Sequence, residues 1–373
     1  MTELQPPDAL LESLDRQDER FGQAFSILQE AVEMRVFPGA SIAVTHQGQM
    51  VALKAFGRFT YEPDSSAVTP ATLFDLASLT KVVATTPMAM LLCERGLLDL
   101  EAPVTGLVPE FAAGSGDPRR RDVTVKMLLA HSSGLPAYEK LFLKARDREE
   151  LLRLALATPL AADPGSRAAY SDIGFIVLSV ALERLADEPL DQFCRREIFD
   201  PLGMTSTTFN PPKEIRSQLP PTANDQTFRH RIIQGEVQDE NASVLGGVAP
   251  HAGLFSTAMD LARFAHAMLR GSSPILRSDT VALFTRRELA PAGTSRALGW
   301  DTPSAPSLSG KHFGPMSFGH LGYTGTSLWV DPDRRISITL LTNRTWPDCS
   351  DQRIQQVRPR FHDAVFEALE KSA

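Results

Sequence analysis

The run SLWVDPDRRISITLLT, residues 327–342, decides the fold. Ser327–Val330 and Ile336–Thr342 are rich in strand-forming residues, and Asp331-Pro332-Asp333-Arg334 between them puts proline at the second position of a tight turn. This pattern predicts an antiparallel hairpin. The other end of the chain repeats it, with Ala40–Thr45 and Met50–Phe56 flanking a short Gln47-Gly48 turn. Helical spacing of Phe21, Phe25, Ile27, Leu28, Ala31 and Val32 predicts an amphipathic helix over Asp18–Arg35, ended by Phe37-Pro38-Gly39. A last helix is expected over about Asp351–Lys371. Two hairpins and two helices at the chain ends assemble most simply into one antiparallel sheet with the terminal helices packed on it. The middle of the chain reads as mostly helical, with proline-rich connections. The expected fold class is α+β: an antiparallel sheet layer plus a large helical insertion. The expected organisation is a loose arm at 1–16, a sheet subdomain from 17–75 and 311–373, and a mostly helical subdomain at 76–310. A functional site is expected between the last two.

Composition removes several classes of function. The chain has 373 residues, 43% hydrophobic and 22% charged, which is an ordinary globular composition. Lys+Arg number 38 against 45 Asp+Glu, a net charge of −7, so no nucleic-acid partner is expected. The dense basic run Arg119-Arg120-Arg121 is flanked by Asp117 and Asp122 and reads as a solvated loop. The longest apolar stretch, Phe175–Leu182, is far below the ~20 residues that span a bilayer, so no membrane is expected. Met1–Arg20 has no basic segment followed by an apolar one. Three widely spaced cysteines, Cys93, Cys194 and Cys349, read as reduced structural thiols. A cytoplasmic setting is the expectation from both. None of the eight histidines stands at metal-ligand spacing, and there is no P-loop, no H-E-x-x-H and no dinucleotide glycine fingerprint. Neither a metal nor a cofactor is expected.

One positive signal is Ser78-Leu79-Thr80-Lys81. On a helix, positions i and i+3 share a face, so the Lys81 amine lies over the Ser78 hydroxyl. Ser78 in the first turn adds the positive end of the helix dipole, and a lysine enclosed by apolar neighbours becomes a usable base near neutral pH. Pro87 falls within the same helix and predicts a kink near Val83–Ala84. Tyr170-Ser171-Asp172 opens the apolar helical run Ile173–Leu185, which puts a phenol and a carboxylate at a helix start. Gly319-His320-Leu321-Gly322-Tyr323-Thr324-Gly325 immediately precedes the Ser327–Val330 strand, where glycines allow close approach of a substrate and free backbone N–H groups.

Together these three segments resemble the active-site boxes of the serine β-lactamase and penicillin-binding protein superfamily. The resemblance is to its class C-like branch, and covers roughly residues 25–345. The stretches Val123–Pro136 and Ala252–Leu261 are also similar, and Thr257 with Asp260 reads as a capping box opening a helix. Val237–Ala242 and Leu245–Gly253 look like relatives of penicillin-binding protein 4B and a muramyl-L-alanine amidase. The resemblance implies a β-lactamase/transpeptidase-like fold and a serine hydrolase that works through an acyl-enzyme. Ser78 would be acylated, Lys81 would accept its proton and Tyr170 would shuttle protons to the leaving group and water. The oxyanion hole would map to the N–H groups of Ser78 and Tyr323. Asp172 stands where the family usually has asparagine, and His320-Leu321-Gly322 where it has Lys-Thr-Gly or His-Thr-Gly, which implies weak or no β-lactam turnover. His320 is expected to supply partial charge below its pKa. Substrate contacts are expected from Asp172, His320, Gly322 and Tyr323. The implied partner is a small muramyl-peptide or D-Ala-type substrate; a carboxylesterase on short acyl esters and a non-catalytic ligand-binding relative are the alternatives. Asp239 and Glu240 read equally as an acidic patch for a substrate amine or amide and as a solvated loop, and His251 reads as a loop-packing residue.

Overall fold

The computed structural model describes residues 10–114, 116–269 and 273–371. In chain order its strands are β1 Leu11–Glu12, β2 Gly39–His46, β3 Gln49–Gly57, β4 Phe74–Asp75, β5 Thr208–Phe209, β6 Pro221–Asp225, β7 Arg231–Gln234, β8 Leu254–Ser256, β9 Phe318–Leu321, β10 Ser327–Asp331 and β11 Ile336–Thr342. Both hairpins foreseen from the sequence form, and they join in one six-stranded sheet ordered β1-β3-β2-β11-β10-β9. The seam between the two chain ends is β2 against β11, antiparallel, with Ile42 opposite Leu340. Part of the expected arm, 1–9, lies outside the described residues; its end does not hang loose, because Leu11–Glu12 adds an edge strand parallel to β3. The sheet is therefore mixed rather than wholly antiparallel.

Every residue of β11 is buried, because both faces of the sheet are covered. The helices Gly22–Glu33 and Ile354–Glu370 cover one face, and Phe25, Leu28, Phe361 and Val365 pack there on Ile338 and Leu340. The helix Ala258–Met268 lies on the other face and joins the sheet to the helical layer. At the heart of that layer is Asp172–Ala186, apolar nearly all round and hence buried. It starts because the Ser171 Oγ accepts the Gly174 N–H at 2.9 Å.

The middle of the chain is not only helical. It also carries a three-stranded sheet, β4-β8-β5, and the hairpin β6-β7. β4, β5 and β8, of two or three residues each, show no periodicity to read, and the β6-β7 hairpin was passed over as well. The irregularity expected near Val83–Ala84 takes the form of a π-helical turn, Lys81–Thr85, and the α-helix Thr86–Glu94 begins after it, which puts Pro87 in a first turn where its missing N–H is harmless.

Candidate active site

The segment before Ser78 is held from three directions. Asp75 is buried; one carboxylate oxygen accepts the Ala77 N–H at 2.8 Å and the other accepts the Gln238 N–H at 2.7 Å. Ala77 takes the left-handed conformation, φ 46°, unusual for a residue with a side chain, and turns the chain so that Ser78 opens the helix. The Thr324 Oγ1 donates to the Asp75 carbonyl at 2.8 Å, and the Thr326 Oγ1 donates to the Leu76 carbonyl at 2.9 Å. Gly322 is required by this packing, since a Cβ there would lie 2.5 Å from the Leu76 oxygen and 2.0 Å from the Thr326 Oγ1. The third sequence box thus grips the nucleophile segment through backbone and hydroxyls.

Around Ser78 the geometry is close. The Lys81 Nζ donates to the Ser78 Oγ at 3.1 Å and to the His251 carbonyl at 3.1 Å, and pairs with the Asp172 carboxylate at 2.7 Å. The Tyr170 OH donates to the Ser78 Oγ at 2.6 Å. Lys81 is wholly buried and sits over the Tyr170 ring (4.8 Å) and the Phe175 ring (5.5 Å). Burial pushes the Lys81 ammonium below its ordinary pKa, and Asp172 offsets part of that fall. Burial, reinforced by the nearby Asp172 charge, pushes the Tyr170 phenol well above its ordinary value, so it carries its proton at neutral pH. Of the two groups touching the nucleophile, Lys81 is the one moved toward use as a base.

With Lys81 buried behind them, Ser78 and Tyr170 lie at the floor of a cleft of about 600 Å³. Its walls include Asp172, Asp239, Glu240 and Tyr323 on the polar side, and Tyr138, Phe142 and Leu143 on the apolar side. The backbone N–H groups of Ser78 and Tyr323 have no hydrogen-bond acceptor among the described residues, which suits them to a developing oxyanion. The structure therefore brings together Ser78, Lys81, Tyr170, Asp172 and Tyr323. It places Gly322 behind the nucleophile segment rather than on the cleft wall. His320 is also set back: it is buried in β9, its Nδ1 lies 2.8 Å from the Leu321 carbonyl oxygen, and its ring stands 5.9 Å from Tyr170. Burial, Lys81 and Arg296 hold its pKa well below the ordinary value, so the expected partial charge is absent.

Sequence reasoning passed over Asp75 and left His251 as loop packing. His251 is buried, pairs with Asp239 at 3.1 Å and offers its carbonyl to Lys81. Burial pushes the Asp239 carboxyl up, but His251 and the Ala242 N–H pull it below its ordinary value on balance. Only the pairing in space reveals this; the gap of twelve residues carries no spacing signal. Cys349, read as structural, is exposed on the cleft rim. No cluster of three or more metal-ligating side chains occurs among the described residues, and no described helix is long and apolar enough to cross a membrane.

This fold and this serine–lysine–tyrosine cluster define a class, and comparison with known proteins gives it a family. The beta-lactamase family model matches residues 25–358. N-acetylmuramyl-L-alanine amidase of Bacillus subtilis (strain 168) is 32% identical over 345 residues, covering 83% of this chain and 77% of that protein. A candidate D-alanyl-D-alanine carboxypeptidase of Escherichia coli (strain K12) is 30% identical over 369 residues, covering 89% and 84%. Among solved structures, EstCE1, a hydrolase with promiscuous acyltransferase activity, matches with a TM-score of 0.77 at 22% identity, over 94% of this chain and 99% of its own. The chain belongs to the beta-lactamase family, a family of serine hydrolases.

Proposed function

We propose that this protein hydrolyses an amide or ester bond in small peptidoglycan-derived substrates, of the muramyl-peptide or D-Ala type, through an acyl-Ser78 intermediate. The observation that carries the reading is the Ser78 Oγ, which lies 3.1 Å from the Lys81 Nζ and 2.6 Å from the Tyr170 OH on the floor of a substrate-sized cleft. In this mechanism the Lys81 amine, in its unprotonated form, takes the Ser78 proton as Oγ bonds to the carbonyl carbon. The N–H groups of Ser78 and Tyr323 hold the oxyanion. Tyr170 gives its proton to the departing nitrogen or oxygen as that bond breaks, and regains one from Lys81. Water then repeats the sequence in reverse, with the acyl–Oγ bond breaking and Ser78 reprotonated.

The substrate class rests on the two relatives named for cell-wall peptide chemistry. With His320 uncharged, Asp172, Asp239 and Glu240 outnumber Lys140 on the cleft walls, which weakens the site for the carboxylate of a β-lactam or of a D-Ala-type substrate; β-lactam turnover is weak or absent, and the muramyl-peptide type is the better supported of the two. A second reading, carboxylesterase action on short acyl esters, draws on Phe142 and the exposed Leu143, which give an acyl chain an apolar wall. A reducing compartment suits three unpaired cysteines.

Intact mass after treatment with a fluorophosphonate tests the reading. One adduct on the wild type, lost in Ser78→Ala, supports it; no adduct on folded wild type defeats it in favour of a binding relative. Release of L-alanine peptide from muramyl peptides, measured beside p-nitrophenyl butyrate hydrolysis, then separates amidase from esterase.

A further inference from the structure

His131 closes the short helix Val125–Leu129. Its N–H donates to the Leu128 carbonyl at 3.2 Å and the Ser132 N–H donates to the Met127 carbonyl at 2.8 Å, the bond pattern of a helix end that glycine ordinarily occupies. His131 adopts the left-handed conformation needed there, φ 55°, despite carrying a side chain. Its Nε2 is also buried without a hydrogen-bond partner among the described residues. Helix closure alone would favour glycine, which incurs neither penalty.

What the side chain does is bracket Tyr170. The His131 carbonyl accepts the Ala169 N–H at 2.8 Å, and its Nδ1 accepts the Ser171 N–H at 3.0 Å, so one residue fixes the backbone on both sides of the tyrosine. Its ring also packs on the Tyr170 ring at 4.7 Å and on Phe175 at 5.2 Å. Burial, together with the Arg296 and Lys81 charges, keeps the imidazole neutral, which leaves Nδ1 free to accept. Neither the sequence motifs nor the reaction scheme assigns this residue a part.

We propose that His131 is the positioning residue that holds the Tyr170 hydroxyl on Ser78; the inference rests on the acyl-Ser78 reading above. Displacing a reacting group by about 1 Å is worth about 100-fold in rate, so the effect is large enough to measure. Three variants separate positioning from folding. His131→Gly has the backbone best suited to the helix end but neither ring nor acceptor. His131→Asn tolerates the left-handed conformation and can offer its Oδ1 to the Ser171 N–H. His131→Phe keeps a ring and loses the acceptor.

The readouts are the rate of fluorophosphonate labelling, kcat and KM on p-nitrophenyl butyrate, and Tm. The expected result is that His131→Gly melts near the wild-type temperature, loses about 100-fold in labelling rate and kcat, and keeps its KM. His131→Asn recovers at least a tenth of the wild-type rate. Wild-type labelling in His131→Gly overturns the inference. If His131→Gly does not fold, the other pair decides: His131→Asn labelling faster than His131→Phe supports it, and equal or reversed rates overturn it. Failure of the wild type itself to label defeats the acyl-Ser78 reading instead.

Discussion

The Lys81 Nζ and the Asp172 carboxylate stand 2.7 Å apart, the lysine wholly out of solvent and the aspartate at the edge of the cleft. A carboxylate at this point both neutralises the site and governs how readily the lysine gives up its proton. Burial lowers the Lys81 pKa, and Asp172 acts against that. The rate should therefore rise as pH climbs through the Lys81 pKa and its amine form becomes populated. Asp172→Asn removes the charge that holds the proton on, so the acid limb of the kcat/KM profile should move to lower pH. A limb that stays in place or moves to higher pH would show that Lys81 is not the base. Asp172→Asn should also acquire slow acylation by nitrocefin, read by intact mass, because one negative charge has left the cleft.

Tyr170→Phe keeps the ring that Lys81 and His131 pack against and removes only the hydroxyl. Its melting temperature should match the wild type within a few degrees. On p-nitrophenyl butyrate, kcat should fall by about 10²–10⁴-fold, the usual span for loss of a general acid–base. A fall confined to KM would place Tyr170 in binding instead.

Gly322→Ala places a methyl group against the Leu76 oxygen and the Thr326 Oγ1, at distances no real Cβ tolerates. The strand bearing the third box must then move off the nucleophile segment. We expect a stability loss of ~1–3 kcal/mol by urea denaturation, and a fall in fluorophosphonate labelling out of proportion to it. Unchanged labelling would mean that the Thr324 and Thr326 hydrogen bonds do not set the Ser78 geometry.

Asp75 links pH to stability in a window that can be stated. Burial pushes its carboxyl up to about 6, against the lowering by its two N–H donors. A raised carboxyl binds its proton more tightly in the folded state, so its contribution is greatest at low pH and declines as pH rises toward about 6. Wild type should therefore hold a larger stability advantage over Asp75→Asn at pH 4.5 than at pH 7.5, by roughly 2 kcal/mol. An advantage that grows with pH would mean that the Ala77 and Gln238 N–H groups outweigh burial.

Much of this molecule can be read where the signal is local. Turn chemistry at Asp331-Pro332 and Gln47-Gly48 announces the hairpins, and the i, i+3 spacing of Ser78 and Lys81 announces their contact. Helix starts are legible too, with the limits of a one-dimensional rule. The Thr257 Oγ1 accepts the Asp260 N–H at 3.2 Å as expected, yet the Asp260 carboxylate turns away to the Ser206 N–H at 2.9 Å. What stayed hidden depends on depth or on long-range pairing. His320 looked like a cation at the cleft until its burial in β9 was known. Asp75 meets Gln238, and His131 meets Ser171, through tertiary contacts that no periodicity encodes.

The seam between β2 and β11 also bears on how the protein is made. Its two strands lie at opposite ends of the chain, so a ribosome adding about 5–20 residues per second leaves β2 without its central neighbour for roughly 15–60 s. Throughout that interval the β2 edge lacks the strand that covers it in the folded sheet, an exposure that invites pairing with other chains. Ser78, Lys81 and Tyr170 are all synthesised before Thr324 and Thr326, whose hydroxyls clasp the nucleophile segment. The order of synthesis thus acts as a timer, and the serine reaches its working geometry only when the last strands arrive.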